Sequence, residues 1–144
     1  MLPIIVHAAL LVVVTVAVHA GGLAAVLGLF SRPQQSQLPT RFWTTTWLLV
    51  RATWLLLLIH LAEITGWALF YWWKDCFPDA ESAFYFSGVT YATVGYGDLV
   101  LKQPRRLLAP VEGLVGILMC GLSADFYFAL VSRIFASRLQ GKLG

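Results

Sequence analysis

Charge is what this sequence has least of. Asp, Glu, Lys and Arg make up 12% of its 144 residues, ten basic side chains against seven acidic ones. A soluble enzyme domain carries about 25%, so that class is excluded. Disorder is excluded too, because a chain that is 59% apolar with mean hydropathy +0.77 cannot stay solvated. Cysteine is equally scarce: Cys76 and Cys120 lie far apart, so neither a disulfide framework nor a cysteine metal motif is present. No Ser/His/Asp spacing, phosphate loop or metal-cluster motif is visible, so the chain reads as a non-enzyme with no organic cofactor. What is abundant is aromatic. Six Trp, five Tyr and nine Phe suit one small domain with two membrane interfaces to populate.

Three apolar runs are long enough for the roughly 20 residues that cross a hydrocarbon core. Leu2 to Phe30 has no charged side chain. It lacks the basic start of a cleaved signal peptide and is too long for one, so it reads as a true span. The second run covers 47–73 and ends in the cluster Trp67, Tyr71, Trp72, Trp73; the third covers 104–136. Between them, 79–92 is too short to cross at about 1.5 Å per residue. Its Pro78-Asp79-Ala80-Glu81 start predicts a capped half-length helix.

Placing the charges orients the chain. Arg32, Arg41 and Arg51 follow the first span and Arg133, Arg138 and Lys142 follow the last, with no acid beside them. By the positive-inside tendency those ends are cytoplasmic, and three crossings put the N-terminus outside. The pI of about 9.1 is then a topology signal, and no nucleic-acid partner is expected. The expected division is an N-terminal membrane helix at 1–30, a polar cytoplasmic linker at 31–46, a unit of two spans and the half-length helix at 47–136 and a short cytoplasmic tail at 137–144.

The half-helix runs into Tyr91-Ala92-Thr93-Val94-Gly95-Tyr96-Gly97-Asp98. Backbone that is neither helix nor barrel survives in a membrane only where protein or water surrounds it. Glycine at 95 and 97 permits backbone angles closed to other residues, so successive carbonyls can point one way. Such a line, repeated around an axis, would replace the water shell of a cation.

Thr93-Val94-Gly95-Tyr96-Gly97 resembles the potassium-channel filter, and Ala83-Phe84-Tyr85-Phe86-Ser87-Gly88-Val89-Thr90 resembles the pore helix that precedes it. The order outer helix, pore helix, filter, inner helix matches the two-helix pore module over about two-thirds of the chain. The resemblance implies an all-α membrane protein with three transmembrane helices, a re-entrant pore helix and filter loop, and a homotetrameric pore. It implies potassium ions held by Thr93, Val94, Gly95, Tyr96 and Gly97, with Asp98 at the outer mouth held by Tyr85. The pore-helix C-terminus would present its negative dipole end to a cavity ion. The family resemblance also implies residence in the cell (inner) membrane, among membrane lipids.

Three acids lie within the spans, each costing about 2.5 to 3.5 kcal/mol on insertion scales, so each needs a partner or water. Glu63 lies one turn from His60, either as an inter-helix tie or as a pH-sensitive pair. Glu112 is expected to brace the back of the pore helix or to pair with Arg105 or Arg106 of a neighbour. Asp125 shares a helical stripe with Leu118, Gly121 and Ala129. In inward-rectifier potassium channels a hinge glycine is similarly followed four residues later by a cavity acid. That likeness implies block by internal Mg²⁺ or polyamines; otherwise Asp125 is buried against another helix, with His19 a partner.

The inner helix also carries the small residues Ala109, Gly113, Gly116 and Cys120, which read as packing against the pore helix, with Gly116 and Gly121 as alternative hinges. Pro104 suits a helix start, whereas Pro110 is expected to kink or break the first turns. No span has arginines at every third position, so no voltage sensor is expected, and the residues after Ala136 leave no room for a cytosolic ligand domain. The first helix reads as a lipid-facing collar, with His7 and His19 in polar contacts. The reading is a passive potassium-selective channel; the alternatives are a nonconducting accessory subunit and a weakly selective cation channel.

Overall fold

The computed structural model describes residues 2–30 and 42–143, with side chains described for 2–29 and 42–136. Most of the linker, with Arg32 and Arg41, lies outside the described residues, as do the side chains of Arg138 and Lys142. The order is α1 (Leu2–Phe30), α2 (Phe42–Trp73), α3 (Ala80–Tyr91), a 3₁₀ turn (Arg105–Leu107) and α4 (Leu108–Leu143), with no strand among the described residues. Three segments, Leu2–Leu29, Phe42–Trp73 and Arg105–Ala136, are long and apolar enough to cross a membrane. Together they make this an all-α integral membrane protein.

Apolar helices in lipid must satisfy their few hydroxyls internally. The chain does so by bonding them back one turn: Thr46 to the Phe42 carbonyl (3.0 Å), Thr53 to Leu49 (3.0 Å) and Thr65 to Leu61 (2.7 Å). α2 ends in a Schellman motif, with Asp75 left-handed (φ 51°), Cys76 N–H on the Tyr71 carbonyl (2.9 Å) and Asp75 N–H on Trp72 (3.0 Å). The Arg105 guanidinium adds a bond to the Lys74 carbonyl (2.7 Å), tying the start of the last span to the end of α2.

α3 begins as its sequence predicts. Asp79 is extended (φ −145°, ψ 165°), and its Oδ1 accepts from the Ser82 N–H at 2.6 Å. Its 12 residues span about 18 Å, well short of a hydrocarbon core. α3 packs in the angle between α2 and α4, while α1 lies against α2 and α4 on the other side. α1 runs antiparallel to α2: Ile4 and Ala8 pack near Trp67 and Tyr71, whereas Gly22 meets Ile59. A Cβ at Gly22 would lie 2.6 Å from the Ile59 side chain, so glycine sets how closely the two helices approach.

The core has three tiers. Trp67, Tyr71, Phe77, Phe86, Leu101 and Leu108 form the aromatic tier beside α3, with Phe77 and Phe86 ring centroids 4.9 Å apart. Tyr91, Val115 and Met119 form the middle tier, and Ala52, Leu130 and Ile134 join the far ends of α2 and α4.

Several boundaries differ from expectation. α2 starts at Phe42, not near Trp47, so helix covers residues expected as the end of the linker. The backbone of α4 stays helical through residues expected as a tail. Pro110 does not break the last span, because α4 proper begins at Leu108 after the 3₁₀ turn. Pro110 therefore falls in the first turn, where its missing N–H would be unpaired anyway.

Candidate functional site

α3 delivers the chain directly into the Thr93–Asp98 stretch. Its last turn closes on itself: Ala92 N–H reaches the Gly88 carbonyl (3.0 Å), Thr93 reaches Thr90 (3.0 Å), and Val94 and Gly95 both reach Val89 (2.8 and 3.1 Å). From there the hand of the backbone alternates. Thr93 (φ 59°), Gly95 (φ 55°) and Gly97 (φ 79°) are left-handed, whereas Val94 and Tyr96 between them are not. A β-branched residue in that region is a true outlier, so Thr93 is held there by its surroundings. Backbone alternating in hand differs from a strand in that it lets successive carbonyls face one side. Within the chain the side chains of the stretch are largely open: Val94 is 51% and Tyr96 71% exposed, and a Cβ built on Gly95 or Gly97 would meet nothing within 4 Å beyond its chain neighbours.

Next to it, Tyr85 of α3 donates its hydroxyl to Asp98 Oδ2 (2.8 Å), and Leu99 N–H donates to Asp98 Oδ1 (3.0 Å). The bond from Tyr85 holds the Asp98 carboxyl below its ordinary range, and the same bond raises the Tyr85 hydroxyl.

Behind α3 stand two buried carboxylates. Glu112 of α4, fully buried, accepts from Tyr71 OH (2.7 Å) and from Ser87 Oγ (2.5 Å), whose single proton is shared with the Ile64 carbonyl (2.9 Å). It thus braces α3 within the chain, where Arg105 of the same chain bonds to Lys74 and Cys76. Glu63 of α2 accepts a short bond from Tyr91 OH through Oε2 and meets His19 Nδ1 at 3.0 Å through Oε1. His60 Nδ1 lies 3.0 Å from Tyr91 OH and 3.3 Å from Glu63, and its Nε2 lies 3.0 Å from Ser123 Oγ. The one-turn spacing made His60 and Glu63 legible; Tyr91, Ser123 and His19 joined them without a sequence signal.

Asp125 is exposed within the chain, as are Leu118, Gly121 and Ala129 of its stripe. Its alternative partner, His19, is bonded to Glu63 instead. The small-residue stripe does meet α3: a Cβ at Gly113 would lie 3.5 Å from the Thr90 carbonyl oxygen, and one at Gly116 would collide with the Tyr91 backbone. Gly116 is thereby a close-approach point, while the space around Gly121 is open.

A short capped helix feeding a backbone of alternating hand, held between two spans, defines a membrane pore element. The family model described as "Ion channel" matches residues 42–133, which take in α2, α3, the loop and most of α4. The chain belongs to this ion-channel family, that of the two-helix pore modules. No curated protein and no solved structure matches it.

Proposed function

We propose that this chain is one subunit of a homotetrameric, potassium-selective channel in which Thr93 to Gly97 line the ion path. The observation that carries the reading is the alternation of hand at Thr93, Gly95 and Gly97 on a TVGYG sequence directly after α3. Four such segments around an axis would offer stacked carbonyl rings in place of a hydration shell. Their exposure in the single chain fits this, since only other copies would enclose them. Asp98, fixed by Tyr85, sits at the outer mouth in this reading, and α3 is the re-entrant pore helix. Its C-terminal carbonyls would aim partial negative charge at an ion below the filter.

The basic residues between α1 and the middle of α2 and in the C-terminal part of α4, with no acid beside them, support an N-terminus outside and a cytoplasmic C-terminus in a cell membrane. Asp125 faces the inner cavity in this arrangement, where four carboxylates would favour block by internal Mg²⁺ or polyamines. α1 forms a collar around the pore. The test is potassium flux into liposomes containing only this protein, with sodium flux measured in parallel. Flux that favours potassium and disappears in Gly95→Asp supports the reading. Intact tetramers without flux would assign an accessory role, equal sodium and potassium flux a weakly selective pore, and flux surviving Gly95→Asp a different path.

A further inference from the structure

The polar knot behind α3 does more than hydrogen-bond. His19, His60 and Glu63 each offer one donor atom, and the three atoms lie within 4.8 Å of one another. Both carboxylate oxygens face an imidazole nitrogen, at 3.0 Å for His19 Nδ1 and 3.3 Å for His60 Nδ1. Donors bound tetrahedrally at zinc distances of 2.0 to 2.1 Å are about 3.3 Å apart. Two of the knot's spacings, each to a different oxygen of Glu63, lie close to that value.

One further feature fits a metal. His60 Nε2 rests on Ser123 Oγ, a hydroxyl able to accept from the ring once Nδ1 is metal-bound, which is the usual support of a ligating histidine. His19, 1% exposed, reaches the cluster from α1. Tyr91 OH touches both Glu63 and His60. His60, with its side chain 17% exposed, is the open side of the cluster.

We infer that His19, His60 and Glu63 bind a divalent transition-metal ion of the zinc type, pinning α1 to α2 behind the Thr93–Asp98 stretch. Both imidazoles bind as neutral ligands through Nδ1 with the ring proton on Nε2, and the metal–nitrogen and metal–oxygen bonds replace the His19–Glu63 and His60–Glu63 contacts. The carboxylate offsets half of the ion's charge. Because Glu63 is also the acceptor for Tyr91, an ion on Glu63 competes for the contact that anchors the last residue of α3.

The experiment uses the full-length protein in detergent with Co²⁺ as probe. One tetrahedral Co²⁺ per chain, seen by its visible absorption and displaced by Zn²⁺, is expected, with binding at least about tenfold weaker in His19→Ala and in Glu63→Gln. His19→Cys keeps a ligand, so it should bind Co²⁺ and add a thiolate-to-cobalt band, a signature that a merely structural role of His19 cannot produce. Absence of tetrahedral Co²⁺ in the parent, or binding unchanged in His19→Ala and Glu63→Gln, overturns the site. Neither result depends on whether the protein conducts.

Discussion

Replacing Gly116 by alanine tests how α4 positions the start of the Thr93–Asp98 stretch. A Cβ there would lie 2.9 Å from the Tyr91 carbonyl carbon and 3.1 Å from its Cα. Carbon atoms in contact prefer about 3.5 Å or more, and the Tyr91 carbonyl oxygen lies closer still, so α4 must retreat by more than about 0.6 Å. The obstacle is backbone and cannot turn aside as a side chain would. Overpacking of this kind costs about 1 to 3 kcal/mol, and alanine's better helix propensity returns up to about 1. A net loss of up to about 3 kcal/mol follows, and the retreat falls on Tyr91, two residues before left-handed Thr93.

Two neighbouring glycines are the controls. At Gly113 the new Cβ would sit 3.5 Å from the Thr90 oxygen, an ordinary contact, and at Gly121 it would meet open space within the chain. Alanine at either position should leave heat resistance unchanged or raise it by up to about 1 kcal/mol. The assay is survival of the detergent-purified oligomer after stepped heating, paired with liposome flux. Only Gly116→Ala should lose both. If it keeps the parent's heat resistance and flux, or if Gly113→Ala is equally damaging, the close approach of α4 to Tyr91 does not set the filter.

Three other outcomes are expected. Tyr71→Phe removes the 2.7 Å donor to Glu112 and should lower oligomer stability by about 1 to 3 kcal/mol, an effect that shrinks in a Glu112→Gln background if the two act as a pair. Gly95→Ala meets no neighbour within the chain but must hold φ 55°, so a flux defect with the oligomer intact would place its harm in the backbone, at about 1 to 2 kcal/mol per subunit. Tyr85→Phe removes the main cause that lowers the Asp98 carboxyl. Because a lowered carboxylate stays ionised until pH falls through its folded value, the variant should lose flux to external acid at a higher pH than the parent; coincident acid limbs would show that Tyr85 does not set this charge.

How much of this was legible depended on whether a residue's signal was local. Asp79 announced the start of α3 because a cap needs only its own turn, and the glycines at 95 and 97 announced the hand of the backbone. The bonding of His19 to Glu63 crosses 44 positions and two helices. Nothing in α1 flags it, since in lipid both faces of a span are apolar and periodicity no longer separates core from surface. Trp54, at 61% exposed, and Trp67, at 1%, look alike in the sequence. Pro110 was misleading for a similar reason: a proline inside a helix and one in its first turn differ only by where the helix begins, and the 3₁₀ turn moved that point.

The placement of the acids then acquires a physical reason. Ser87 and Tyr91 are one turn apart on α3, and each rests on a carboxylate from a different span, Glu112 of α4 and Glu63 of α2. Apolar contact gives helices little reason to associate in lipid, whose tails are as apolar as leucine. Polar posts supply it asymmetrically. A paired carboxylate adds modestly to the packed state, whereas one stripped of its donors in hydrocarbon costs about 2.5 to 3.5 kcal/mol or more. The two acids therefore act by making every displaced position of α3 expensive, which fixes the segment that follows it. Asp125 has no such post within the chain and remains exposed. A charge in that position must meet water or another subunit, because lipid would impose the same penalty that Glu63 and Glu112 escape.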